Sequence, residues 1–358
     1  MRSVKRLFVL AGAMFVATHA TSQPLESGIT ANDDKLPGLE VLHDRADALI
    51  PIARTETGAA YLEATKKLPN RLRRYLYVDR RFTMAYPEAE FNELDDRVKS
   101  QLRIRPVTEL AYYMGISERP LLDFLPVDLV VGGTEMESTS ELAGRKILLY
   151  NPRVITQGWL LASLGADVTI LHNQIRMKGL YSQHKDSGAV ESAVDGPDGS
   201  IRFIYADWPS EAAENIGEGY DLVIVSDWIS QGLSMRTAVP PRWVTPGRPM
   251  REMGSTPDDF LKAVAEIMAP GGRFINYAYG PIEPRRAAQS QPYSNVRSPY
   301  STEAIAETGL ELLVLDADDS RAFLDASMVT DYQDSPLNPE GVPTMLAAYT
   351  LFVKPNTD

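Results

Sequence analysis

The chain has 358 residues, with 36 lysines and arginines against 48 aspartates and glutamates, and no cysteine. The missing cysteines exclude disulfides, thiolate metal sites and a thiol nucleophile. The net charge of −12 argues against nucleic-acid binding through a general electrostatic footprint, and with only four histidines a multi-histidine metal site is not expected.

The amino terminus has three parts. Arg2, Lys5 and Arg6 give a positive start, Leu7 to Ala17 is apolar, and Ala20-Thr21-Ser22 offers small residues for cleavage. This pattern predicts a secretory signal over residues 1–22, and hence export to a periplasm or the medium. The apolar run of 11 residues is too short for a membrane-spanning helix, which needs roughly 20 residues. No later segment is apolar for long enough. Loss of the first 20 residues would remove three cations and no acid, leaving a mature chain at −15.

Residues 23–38 are polar and read as a disordered leader. Residues 39–139 are predicted to be a helical region. Leu39, Leu42, Ala46, Leu49 and Ile50 recur at helical spacing until Pro51, and Tyr61, Leu62, Ala64 and Leu68 mark a second helix. Residues 89–103 and 107–114 are further helix candidates. Arg71, Arg73, Arg74, Arg80 and Arg81 surround Tyr75 and Tyr77; this run is read as a solvated helix face, with a partner or lipid-headgroup surface as the alternative.

From residue 140 the pattern changes to short apolar strands alternating with helices. Strands are predicted at 146–150, 167–171, 202–205, 220–225, 273–277, 311–315 and 346–353, and helices at 159–164, 259–268 and 304–308. Residues 182–200 read as a surface excursion. The fold class is therefore α/β, a Rossmann-like, mostly parallel seven-stranded sheet preceded by a helical region.

Three segments carry a resemblance to a known family. They are Gly165-Ala166-Asp167-Val168-Thr169, then Gly219-Tyr220-Asp221-Leu222-Val223, then Leu261 through Ala269-Pro270-Gly271-Gly272-Arg273-Phe274. In their order and spacing, residues 140–355 resemble class I S-adenosylmethionine-dependent methyltransferases. The resemblance implies a final hairpin with one antiparallel strand, filled here by 346–353. It also implies a glycine-rich cofactor turn after the first strand. The chain instead reads Tyr150-Asn151-Pro152-Arg153-Val154-Ile155-Thr156-Gln157-Gly158, so the cofactor turn is degenerate. Any side chain there takes up volume, and Pro152 lacks a backbone donor.

The second strand of the family ends in an acid that holds ribose; the matching position is His172, or Asn173 if the register slips by one. After the third strand Asp207 stands where the family reads adenine, with Trp208 beside it; an N-cap or turn role for Asp207 is the alternative. Asn151, His172, Asp207 and Trp208 are thus the candidate cofactor-binding residues. In open parallel sheets ligands sit at the carboxyl ends of the strands. That edge collects Gln157, Ser226, Asp227, Trp228, Asn276, Tyr277 and Tyr279 as well. Two arginine-bearing loops lead off it, with Arg248 and Arg251 in one and Arg285 and Arg286 in the other. Asp227, Trp228, Tyr277 and these four arginines are candidates for binding an anionic small molecule or glycan. Packing of the tryptophans and solvation of the arginines are the alternatives.

The functional expectation is an exported, methyltransferase-like protein without efficient S-adenosylmethionine binding, a pseudoenzyme serving as a ligand- or partner-binding accessory of the cell envelope. The alternative is an active methyltransferase with an atypical turn. No cofactor is expected unless the enzyme reading holds, in which case it is S-adenosylmethionine. No Gly-x-Ser-x-Gly elbow, phosphate loop or paired-histidine zinc motif occurs, and catalytic residues are not assigned.

Overall fold

The computed structural model describes residues 39–67, 73–80, 83–108, 119–152, 155–173, 175–181, 186–206, 208–209, 216–226, 256–281, 298–330 and 345–356. Residues Lys35–Asp358 form one compact unit, so the region before residue 140 and the α/β part fold together.

The unit opens with α1 (Leu39–Leu49) and α2 (Glu56–Ala64). Thr55 caps α2 by accepting from the Gly58 amide at 2.9 Å. Then comes a three-stranded antiparallel sheet of β1 (Arg73–Val78), β2 (Ala85–Pro87) and β3 (Arg103–Thr108), in the order β2-β1-β3. The region is therefore not wholly helical. Of the arginine run, Arg73 and Arg74 lie on β1 rather than on a helix, Arg80 follows it, and Arg71 and Arg81 lie outside the described residues; Leu76 and Val78 alternate with Tyr75 and Tyr77 and bury one face of the strand. Between β2 and β3 the expected helix over 89–103 is two short pieces, α3 (Glu88–Glu93) and α4 (Asp96–Lys99), parted at Leu94-Asp95, where Asp95 caps the second. Residues 107 and 108, expected to start a helix, end β3, and residues 109–114 lie outside the described residues.

After α5 (Arg119–Leu122), α6 (Phe124–Val131) and α7 (Thr139–Leu142) the large sheet begins. Its strands are β4 (Lys146–Tyr150), β5 (Asp167–His172), β6 (Gly188–Val190), β7 (Gly199–Tyr205), β8 (Tyr220–Ser226), β9 (Met268–Pro281), β10 (Glu311–Asp318) and β11 (Met345–Val353). The spatial order is β10-β11-β9-β8-β4-β5-β7-β6. Strands β7, β5, β4, β8 and β9 run parallel, and β11 lies antiparallel between β9 and β10. The eighth strand, β6, pairs antiparallel with β7 at the far edge and comes from the segment read as a surface excursion. It is only three residues long and Gly188 opens it, too little for a period-2 signal.

Helices α8 (Thr156–Ser163), α9 (Ile175–Tyr181), α10 (Pro257–Ile267), α11 (Thr302–Glu307) and α12 (Ser320–Thr330) complete the unit. Thr256 and Asp259 form a capping box at the start of α10, each side chain bonding to the other residue's backbone amide. The sheet separates two apolar layers. Ile147, Leu149, Ile170, Leu222, Ile224 and Ile275 face the layer built with α2, α6 and α8. Leu148, Tyr150, Leu171, Val223, Val225 and Phe274 face the layer with α10. This strict alternation from runs with no polar partner face is what a parallel sheet buried on both sides requires.

Candidate functional site

The chain bends out of β4 at Asn151, which has φ of 47° and no exposed surface. Few side chains tolerate this left-handed backbone, and asparagine is among them. Asn151 therefore turns the chain out of β4 without a glycine. Its amide donates to the Leu171 carbonyl at 2.8 Å, and its Oδ1 accepts from the Asn173 amide at 3.0 Å. His172, also fully buried, puts Nε2 3.0 Å from the Pro152 carbonyl oxygen. A carbonyl only accepts, so Nε2 carries the proton in this bond. Three hydrogen bonds thus stitch the carboxyl ends of β4 and β5 together, and both candidate residues take part.

Gly158 allows a close approach of helix to sheet. A Cβ there would lie 2.6 Å from Ile170 Cδ1, so its absence lets α8 sit close on the sheet. Trp208 is a core residue. It is 1 % exposed, meets the Phe260 ring edge-on at 5.0 Å, and its carbonyl accepts from the Tyr150 hydroxyl at 3.3 Å. Its indole adds to the layer under α10.

Tyr277 lies at the carboxyl end of β9, opposite Ser226. Its hydroxyl donates to Asp319 at 3.1 Å. Burial, then the charge of Asp319, raises the phenol well above its ordinary pKa. Asp319 also pairs closely with the Arg54 guanidinium. Burial raises the Asp319 carboxyl above the ordinary carboxylate range, and the bonds from Arg54 and Tyr277 offset only part of that. Arg54 reaches a second acid through its backbone, whose amide donates to Asp128 at 2.7 Å while Thr55 Oγ1 donates to the same carboxylate at 2.5 Å. Asp128 is raised as well, again by burial first. Gln157 adds a contact from α8 to the Asp123 carbonyl at 3.4 Å. The segment before α2 is therefore fastened to the carboxyl side of β9. Nothing in the spacing of Arg54, Asp128 and Asp319 marks them as neighbours, since they are brought together over more than 70 residues of chain.

Of the other candidates, Asp207, Asp227, Trp228, Arg248, Arg251, Arg285 and Arg286 lie outside the described residues. Asp221 sits at the opposite, amino end of β8 and accepts from the Lys146 amide at 2.8 Å, a structural role. Among the described residues no cluster of three acids or histidines is placed to hold a metal ion, and no helix is long and apolar enough to cross a membrane.

The five parallel strands ordered β7-β5-β4-β8-β9, closed by an antiparallel β11 inserted before β10, decide the architecture. The fold is methyltransferase-like. No family model and no curated protein matches the chain. Solved structures similar to it include the magnesium protoporphyrin IX methyltransferase ChlM from Synechocystis PCC 6803, 12 % identical with a TM-score of 0.36, covering 68 % of this chain and 87 % of that one. A putative sarcosine dimethylglycine methyltransferase from Galdieria sulphuraria is 13 % identical with a TM-score of 0.35, covering 68 % and 91 %. The [4+2]-cyclase SpnF is 14 % identical with a TM-score of 0.35, covering 67 % and 83 %. At these scores the likenesses carry no argument about activity, and the architecture rests on the strand order.

Proposed function

We propose that this chain is an exported methyltransferase-like protein that does not bind S-adenosylmethionine efficiently and acts as a ligand- or partner-binding accessory of the cell envelope. The observation that carries the proposal is the stitched junction of β4 and β5. In the resemblance, this junction holds the methionine and ribose parts of the cofactor. Here Asn151 and Pro152 are buried side chains in the turn, and Pro152 has no amide to offer. The position of the ribose acid holds His172, whose Nε2 proton is committed to the Pro152 carbonyl. An imidazole so bonded has at most one nitrogen left to accept and cannot accept from two ribose hydroxyls as a carboxylate does. These residues do not suit the cofactor, so no methyl-transfer step is derived for them.

The amino-terminal pattern supports export, and S-adenosylmethionine, a charged compound made inside cells, would be scarce outside the cytoplasm. An anionic small molecule, a glycan or an envelope protein is the proposed partner, met through the arginines of the loops after β8 and β9. Thermal-shift assays of residues 23–358 with S-adenosylmethionine, S-adenosylhomocysteine and acidic glycans test the proposal. Stabilisation by a glycan alone, lost in an Arg248→Ala, Arg251→Ala, Arg285→Ala variant, is the expected result. Stabilisation by the two cofactor forms would overturn it.

A further inference from the structure

The alternation of the strands sets a row of polar residues across the carboxyl edge on the face toward α2 and α6. His172 follows Val168 and Ile170, Ser226 follows Leu222 and Ile224, and Tyr277 follows Ile275 on that face. Tyr150 pairs with both Leu171 and Val225, so Asn151 stands level with His172 on one side and Ser226 on the other, and Ser226 pairs with Tyr277. All four are more than nine-tenths buried. The outer two are bonded, His172 to Pro152 and Tyr277 to Asp319. The inner two are not fully bonded: among the described residues Asn151 Nδ2 and Ser226 Oγ are buried without a hydrogen-bond partner.

A buried donor left unpaired is costly, and folded proteins keep few of them. Two on neighbouring strands, at the edge where open parallel sheets take ligands, call for a shared partner. We propose that the β4–β8 junction is a binding site for an uncharged ligand group that presents a carbonyl or hydroxyl oxygen to Asn151 Nδ2 and Ser226 Oγ. An amide nitrogen only donates and a hydroxyl can donate, so the pair selects an acceptor. The row itself holds no Lys, Arg, Asp or Glu, and its two outer members are engaged. A charged group lodged there would lose its hydration, and among the described residues the charges beside the row, Arg54 and Asp319, are already paired with each other. The same argument disfavours the sulfonium, ammonium and carboxylate of S-adenosylmethionine. The inference rests on the ligand-binding reading above and assigns this junction to an uncharged part of the ligand, its anionic part being left to the arginines after β8 and β9.

Ligand-observed NMR titration of residues 23–358 tests it, with acetamide and glycerol as probes against their charged counterparts acetate and glycerate. The neutral pair should bind at millimolar concentration and the charged pair should not. Asn151→Gly suits the left-handed backbone and Ser226→Ala leaves the strand intact; each should weaken the neutral probes roughly three- to tenfold, the worth of one uncharged hydrogen bond. Binding by neither neutral probe, equal binding of acetate and acetamide, or neutral binding unchanged in both variants would overturn the proposal. S-adenosylmethionine in the same assay separates the two readings, because its binding refutes the cofactor-free proposal whatever the neutral probes do.

Discussion

Replacing Asn151 probes how a turn without glycine is held. In Asn151→Ala the backbone must keep φ near 47° with a side chain that gains nothing locally from it. That costs about 1–2 kcal/mol for an ordinary residue in the left-handed region, less the smaller strain asparagine already carries. The bond from the Asn173 amide to Oδ1 is lost as well, worth about 0.5–1.5 kcal/mol. Together these give a destabilisation of about 2 kcal/mol. Asn151→Gly restores backbone freedom and loses only the bond, together with the extra unfolded-state entropy of glycine, about 0.5–1 kcal/mol. It should therefore fall between wild type and Asn151→Ala, by about 1 kcal/mol or a little more. Urea denaturation monitored by tryptophan fluorescence would measure the series. An alanine variant within about 0.5 kcal/mol of wild type, the scatter of ordinary surface changes, would refute the claim that Asn151 closes the turn.

Other consequences of the packing can be measured the same way. Asp319 is raised by burial, so it takes up its proton more readily folded than unfolded. Its contribution is fully present below the unfolded value of 3.8 and is lost as pH rises through the raised folded value. The stability of wild type minus that of Asp319→Asn should accordingly fall as the pH rises above 3.8; a difference that rises or stays flat would contradict the assignment. Gly199→Ala should be far more damaging than Gly158→Ala. The added methyl at 199 meets the Ala162 and Ala166 carbonyl oxygens at 2.2 and 2.4 Å, whereas at 158 it meets the end of the Ile170 side chain at 2.6 Å, which can turn aside more readily than backbone. We expect about 3 kcal/mol or more against about 1, and the reverse order would show that β7 does not pack as described. Trp208→Ala should cost about 3–5 kcal/mol, as a fully buried aromatic does; a loss below about 1 kcal/mol would contradict its place in the core under α10.

The central strands of the large sheet were legible because they are short runs of Val, Ile and Leu buried on both faces, as in Ile147-Leu148-Leu149 and Leu222-Val223-Ile224-Val225. Thr256-Pro257-Asp258 announced α10 through its capping chemistry. The small sheet was missed because Arg73-Arg74-Tyr75-Leu76-Tyr77-Val78 offers a short apolar alternation, Leu76 and Val78, beside two charges. Helices α9 and α12 have weak patterns, the first interrupted by Gly179, which brings it against Leu76 and Ala85 of the small sheet. At the site, sequence order alone located Asn151, His172 and Tyr277 at strand ends. It could not show that Asn151 and His172 bond to the chain around them, since those partners are backbone groups with no identity of their own. The Arg54–Asp319–Tyr277 contact was invisible for another reason: the arginine and the acid are 265 positions apart in the chain, and no local pattern encodes such a pair.

The central claim is that the junction of β4 and β5 is closed by the protein's own groups rather than built for S-adenosylmethionine. Calorimetric titration of residues 23–358 with S-adenosylmethionine and S-adenosylhomocysteine addresses it directly. The account predicts no binding heat at millimolar cofactor. Micromolar binding, abolished by Asp207→Ala, would contradict it and make the methyl acceptor the next question.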